Sequence, residues 1–285
     1  MSEEFAPDRV HVVVGTPWKD AVISLLEPSS PYEPWPDVLD ARRGDGVVVV
    51  IDCEPRLVLP YVLRVEFEGG AGQAITQSRQ SCPGPAVAVS RVGAGLDGLR
   101  DRCTLFEGAQ AAALVGELDR HRFDGDDEFP FGVTSMAEAA VLLESNGRCS
   151  GCDKALGLGG ENAREKVAIW TVAEARVQPE AAPPEEPQLD DLDGSDGPWL
   201  PTMPVDWPAA LCLKCQDAMR EGGFETFLDY RFSRHPACPR CGQRRARRAV
   251  FGMLSSFTGI GPWHDARGCC DTPDNWTCAM CGHRW

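Results

Sequence analysis

Four Cys-x-x-Cys pairs constrain this chain more than any other feature: Cys149/Cys152, Cys212/Cys215, Cys238/Cys241 and Cys278/Cys281. All of them lie after residue 148. Zinc takes four thiolates in a tetrahedron and each pair supplies two, so four pairs make two sites. A redox use needs a thioredoxin-like context, usually with one pair, and four pairs argue against it. Each site is expected to be structural, because catalytic zinc keeps an open position, usually beside His or carboxylate ligands, and a four-thiolate site is closed. Its binding free energy then becomes folding free energy for a segment poor in core residues. The isolated Cys53, Cys82 and Cys103 read as small buried residues, while His283 and the doublet Cys269-Cys270 are spare ligands.

Two pairings of the knuckles are open. Sequential pairing joins Cys149/Cys152 with Cys212/Cys215 and Cys238/Cys241 with Cys278/Cys281. The alternative joins the two middle pairs and leaves the outer ones to meet. The sequential scheme is favoured, because the alternative needs one closure spanning the whole cysteine region.

The fold class expected is α+β: a mixed N-terminal α/β domain over residues 1–133, then small zinc-stabilised modules over 134–235 and 236–285. VHVVV (10–14), GVVVVID (46–52), RLVLPYVLRVEF (56–67) and PAVAVSRV (85–92) are strand candidates, with Pro60 marking a bulge or an edge. The connection PSSPYEPWPDV is irregular. Residues 107–120 place Ala111, Leu114, Val115 and Leu118 on one helical stripe. Ser135 and Glu138 have capping-box spacing before MAEAAVLLES, and Asn146-Gly147 provides a stop just ahead of Cys149. Residues 178–204, rich in proline and acids, cannot bury enough surface to order themselves and read as a mobile acidic loop. Such an insertion costs little closure entropy, so it need not split the first site.

The formal net charge of −15 works against non-specific nucleic-acid binding, which draws on cations that displace counterions from phosphate. Any such contact must be local. From Tyr230 to His264 there is no acidic residue but there are seven arginines. Some can offset the net negative charge of a four-thiolate zinc, and some can pair with the acidic loop, which could then compete with phosphate from within the chain. Arg240, Arg244, Arg245, Arg247 and Arg248, beside Phe251, Phe257 and Trp263, form a candidate nucleic-acid contact. No apolar run is long enough to cross a bilayer and MSEEFAPDRV lacks a leader pattern, so a cytoplasmic location is expected. No Ser-His-Asp set is evident. VGAGLDG (92–98) lacks the lysine of a phosphate loop and the spacing of a dinucleotide fingerprint, so no small-molecule cofactor is indicated.

Three resemblances accompany these readings. CPRCG, then VFGML and GCCDTPDNWTCAMCGHRW, resembles a zinc-ribbon module over residues 238–285, which implies two knuckles closing a small sheet. CSGCDKAL and LCLKCQDAM resemble the cysteine frame of HNH endonucleases over 149–230. In that family a hairpin histidine activates water beside a divalent metal. Here KVAIWTVAE carries no histidine and Gln216-Asp217 follows the second knuckle, so the resemblance implies a treble-clef scaffold without catalysis. HVVVG, Trp35 before RRGDGVVVVID, and LPYVLRVEF are similar to PUA-like domains, including the EVE type. That similarity implies a barrel with Trp18, Tyr32, Trp35 and Tyr61 as candidates for an aromatic base pocket, although the same four could simply pack a core. Together these predict a zinc-binding, nucleic-acid-associated, non-catalytic protein in defence or nucleic-acid processing. The alternatives are an interaction adaptor docking on a protein partner, and an HNH-type nuclease.

Overall fold

A computed structural model describes residues 7–66, 75, 86–121, 131–176, 203–251, 261–267 and 273–285. Calls falling on residues 178–202, Cys82, Cys269, Cys270 and Phe257 lie outside these. The architecture is α+β, with three sheets.

The two valine-rich runs form the centre. β1 (Arg9–Gly15) and β2 (Gly46–Ile51) run parallel, with Val12 opposite Val48. Continuous apolar runs suit a parallel pair covered on both faces, and alternate residues do point to two different cores. Val13, Val47, Val49 and Ile51 face α1 (Trp18–Leu26), while Val10, Val12, Val14, Val48 and Val50 face α3 (Ala109–His121). The α3 stripe of Ala111, Leu114, Val115 and Leu118 is buried, at the positions the helical period predicts. Short strands complete the sheet. β3 (Leu57–Val58) and β4 (Leu63–Arg64) both pair with β2, on either side of Pro60; β5 (Val87–Ala88) pairs with β3, and β6 (Cys103–Glu107) runs antiparallel to β1. The strand path β5-β3-β2-β1-β6 stays open among the described residues. A closed PUA-like barrel is therefore not what these strands form. With apolar side chains packed under helices on both faces, neither face is left to line a barrel interior.

Three expectations shift. The strand predicted over 85–92 is only two residues long and gives way to the short helix α2 (Val89–Val92). Helix α1 was not among the expected elements; it is buried along nearly its whole length, Asp20 and Ser24 included. Helix α4 (Ser135–Glu144) is capped by Thr134, whose Oγ1 accepts from Ala137 N–H at 3.2 Å. Ser135 Oγ instead accepts from Glu54 N–H at 2.7 Å, which ties α4 to the end of β2. The stop at Asn146-Gly147 holds, both residues taking positive φ.

The core on the α1 side does not end with the sheet. It continues through Ala139 and Leu142 of α4 to Leu211, Phe227, Phe232 and Trp263 in the cysteine-bearing half. Polar ties run along the same seam. The Arg164 guanidinium, on the short helix α5 (Ala163–Lys166), donates twice to the buried Asp20 carboxylate, once at 2.8 Å. Lys19 Nζ donates to Val167 O at 2.9 Å, and the Tyr32 hydroxyl donates to Glu161 O at 2.8 Å.

Candidate metal centres

Three of the four knuckles fold identically. In each, the residue after the second cysteine takes a positive φ (Asp153, Gly242 and Gly282) and donates its N–H to the carbonyl of the first cysteine at 2.8–2.9 Å. The first cysteine's N–H is taken in turn by a carbonyl five residues on, at Lys154, Gln243 and His283. Glycine suits that left-handed position at two of the knuckles, and a short polar Asp tolerates it at the third. This turn leaves both sulfurs on one side. The fourth knuckle is built differently. β7 (Val167–Trp170) and β8 (Ala209–Cys212) form an antiparallel pair with Val167 opposite Cys212, and α6 (Leu213–Glu221) starts directly after Cys212. Cys212 is the N-cap and Cys215 lies in the first turn, where the helix dipole and free N–H groups favour thiolate.

The eight cysteines gather as two tetrads, Cys149/Cys152/Cys212/Cys215 and Cys238/Cys241/Cys278/Cys281, with all sulfurs of a tetrad within 4.8 Å of one another. The grouping is the sequential one. A metal–sulfur bond of about 2.3 Å at tetrahedral angles places sulfurs about 3.8 Å apart. The structure has Cys152–Cys212 at 3.9 Å, Cys238–Cys281 at 3.7 Å and Cys241–Cys278 at 3.6 Å. A disulfide would need about 2.05 Å. Each tetrad could therefore hold one metal ion with no position left for substrate.

Without a cation the sulfurs disfavour one another's ionisation. Burial pushes the thiols of Cys149, Cys215, Cys278 and Cys281 up. Burial also opposes the Cys212 and Cys238 thiolates, but neighbouring backbone N–H groups together with hydrogen bonds from the other thiols outweigh it and hold Cys212 below the ordinary value and Cys238 at about 7. A bound cation must displace protons from the others, so affinity will depend on pH.

Residues not singled out by spacing hold the first tetrad in place. Gly151 is buried, and a Cβ there would sit 2.9 Å from Cys215 Sγ and 3.1 Å from a Tyr230 ring carbon. Helix α7 (Phe227–Ser233) passes alongside. Its buried Arg231 donates to Gly151 O at 2.9 Å and to Asp153 at 2.8 Å, and lies over the Trp263 ring at 5.3 Å. Arg234 donates to the Tyr230 hydroxyl at 2.9 Å and stands 3.9 Å from Cys215 Sγ, offsetting thiolate charge. The only sequence signals for these were a glycine inside CSGC and an arginine count.

The second tetrad closes a three-stranded sheet, β10 (His264–Ala266), β9 (Ala246–Val250) and β11 (Trp276–Cys278), with β9 in the centre. This sheet sorts the candidate arginines. Arg247 is buried, and Arg245 pairs with Asp229 and lies over Phe232 at 5.1 Å. Arg240, Arg244 and Arg248 remain exposed, Arg244 touching the Ser233 carbonyl at 3.2 Å. Arg248 lies opposite His264 on one side and Trp276 on the other, so these three form a cross-strand row on one face. His235 donates from Nδ1 to Ala246 O at 2.6 Å and packs its ring on Trp276. His283 stacks on Trp285 and stands outside both tetrads. Trp18, Tyr32, Trp35 and Tyr61 are half-buried and pack against the core.

Comparison with protein families, curated proteins and solved structures finds no match. The zinc-ribbon, HNH and PUA resemblances thus gain no support from relatives.

Proposed function

We propose that this chain is a zinc-stabilised, nucleic-acid-associated protein without nuclease chemistry of its own. Zinc is the natural occupant of closed tetrahedral sites with only thiolate ligands. The observation that carries the nucleic-acid reading is the Trp276–Arg248–His264 row on a sheet clamped by the second tetrad, with Arg240 and Arg244 exposed on the same module. An arginine flanked by aromatic rings suits backbone phosphate and an exposed base at once. Acidity elsewhere keeps the contact local. The adaptor alternative draws on the net charge of −15. The nuclease alternative meets strand β7, VAIW, which offers no histidine beside the first tetrad.

The test is fluorescence anisotropy with single- and double-stranded DNA and RNA, alongside elemental analysis. Two zinc ions per chain are expected. If three arginines neutralise three phosphates, affinity for duplex DNA falls about 40-fold between 50 and 200 mM salt, and the Arg240→Ala/Arg244→Ala/Arg248→Ala variant loses that dependence. Absence of binding at low salt, with polypeptides co-purifying instead, would favour the adaptor. Magnesium- or manganese-dependent cleavage would restore the nuclease.

A further inference from the structure

Between α4, the first knuckle and the chain entering β10 lies a cavity of about 270 Å³. It touches none of the four N-terminal aromatics considered above. Trp207 and Trp263 contribute to its wall, with Glu144, Arg148, Asp153 and His264. Its size falls just below the range of about 300–1,000 Å³ usual for drug-sized ligands, which suits a ligand of one or two rings.

The wall joins aromatic surface to polar groups. Trp263 is 7% exposed, and its indole N–H is enclosed and does not open on the cavity. The ring itself is firmly held, edge-to-face with Phe227 at 5.4 Å and under the Arg231 guanidinium. Asp153 is already committed to Arg231. Burial, with Arg231 and Arg248 nearby, pushes His264 down to about 4, so its imidazole is neutral and offers one donor and one acceptor. Glu144 keeps much of its side chain accessible but stands within a concave wall, and that crowding raises its carboxyl. Arg148 is exposed and is the one cation among the described residues of the wall.

Aromatic surface, mixed donors and acceptors, and a single cation at the side fit a neutral planar heteroaromatic ring attached to an anion. His264 belongs both to this wall and to the Trp276–Arg248–His264 row, so a strand lying along that row ends at the cavity. We propose that the cavity receives one nucleobase, unstacked from a single strand, with its polar edge on His264 and Glu144 and its phosphate at Arg148. The proposal rests on the nucleic-acid reading above. Unstacking costs a few kcal/mol, which contacts of this kind can offset.

The probes are the four nucleoside 5′-monophosphates, titrated by calorimetry, and a short single strand carrying 2-aminopurine, whose fluorescence rises on unstacking. Saturable binding of at least one monophosphate and a fluorescence rise with the strand are expected. His264→Ala, Glu144→Gln and Arg148→Ala should each weaken both about tenfold, the effect of about 1.4 kcal/mol. Glu144 and Arg148 are exposed, so their variants test the idea even if His264→Ala fails to fold. A strand that binds with no fluorescence change, and monophosphates that give no heat, would overturn the cavity's role while leaving strand binding intact. Equal binding by the three variants and the parent would overturn it too. Monophosphate binding with no strand binding would overturn both the strand-borne base and the reading beneath it.

Discussion

Asp206 is the residue whose loss tests the packing of the first metal module most directly. Its Oδ1 accepts from the backbone N–H groups of Trp207 at 2.8 Å, Phe227 at 2.9 Å and Leu228 at 3.3 Å. Its Oδ2 accepts from the Trp170 indole at 2.8 Å. One carboxylate thus joins β7, the approach to β8 and the N-terminus of α7. Thr226 caps α7 by accepting from Asp229 N–H, and Asp206 takes the two N–H groups ahead of it that the helix cannot satisfy. Asp206→Asn keeps an oxygen for the backbone donors but turns an amide N–H toward the Trp170 N–H. Losing that charge-assisted bond costs about 1.5 kcal/mol, at the lower end because the site is half-buried. Losing the negative charge at a helix N-terminus adds about 0.5 kcal/mol. The expected total of about 2 kcal/mol lowers Tm by about 4–8 °C for a chain of this size. Asp206→Ala removes all four bonds and should cost about 3–4 kcal/mol, less than their sum because neighbouring donors find water. Thermal and urea unfolding in excess zinc measure both. Because α7 carries Arg231 and ends at Arg234, release of one metal to a chelator should also quicken. An alanine variant within 0.5 kcal/mol of the parent, or asparagine and alanine variants of equal stability, would refute this account.

Other consequences follow from the same contacts. Gly151→Ala forces a methyl against Cys215 and Tyr230. Overpacking of about 1–3 kcal/mol should loosen the first tetrad alone, so chelator titration would resolve one weakened and one unchanged ion. Arg164→Ala leaves the buried Asp20 without its guanidinium and should cost about 3 kcal/mol, read by urea unfolding; a cost near zero would show the seam held by apolar packing alone. Desolvation opposes the Asp45 carboxylate, but the Arg42 N–H, the His11 ring at 2.9 Å and Arg9 together hold it below the usual carboxylate range. A depressed folded value contributes stability above the unfolded value of about 3.8 and loses it as pH falls through the folded one. The gap between the parent and Asp45→Asn should therefore be constant from neutral pH to about 5 and shrink below about 3.8, measured by urea unfolding across pH. Full metal removal at neutral pH should unfold the β9–β10–β11 sheet, whose core is small, while the β1–β2 sheet keeps its far-ultraviolet circular dichroism.

The central strands were legible because Val12 to Val14 and Val47 to Val50 sit between two helical layers, so burial on both faces leaves an unbroken apolar run in the sequence. Helix α3 was legible for the opposite reason: one side faces water, and the period shows. Helix α1 was not: it is only nine residues long, and its polar Asp20 and Ser24 are buried along with Val22 and Ile23, so polarity does not mark its exposed side. The cap of α4 slipped by one residue because Thr134 and Ser135 are chemically alike. Which of them serves the helix depends on Glu54, distant in sequence and adjacent in space.

The sequence by itself determined four thiolate pairs, since cysteines three positions apart can present both sulfurs through a tight turn or the first turn of a helix, and such turns are written in local residues; which pairs meet was left open and was decided by the tertiary structure. Tertiary structure alone decided what the arginines do. Arg247 and Arg248 are neighbours in sequence but face opposite sides of β9, so one is buried and the other lies in line with Trp276 and His264. Charge is a property of a residue, but its availability depends on which neighbours the sheet brings beside it, and these come from strands distant in the chain.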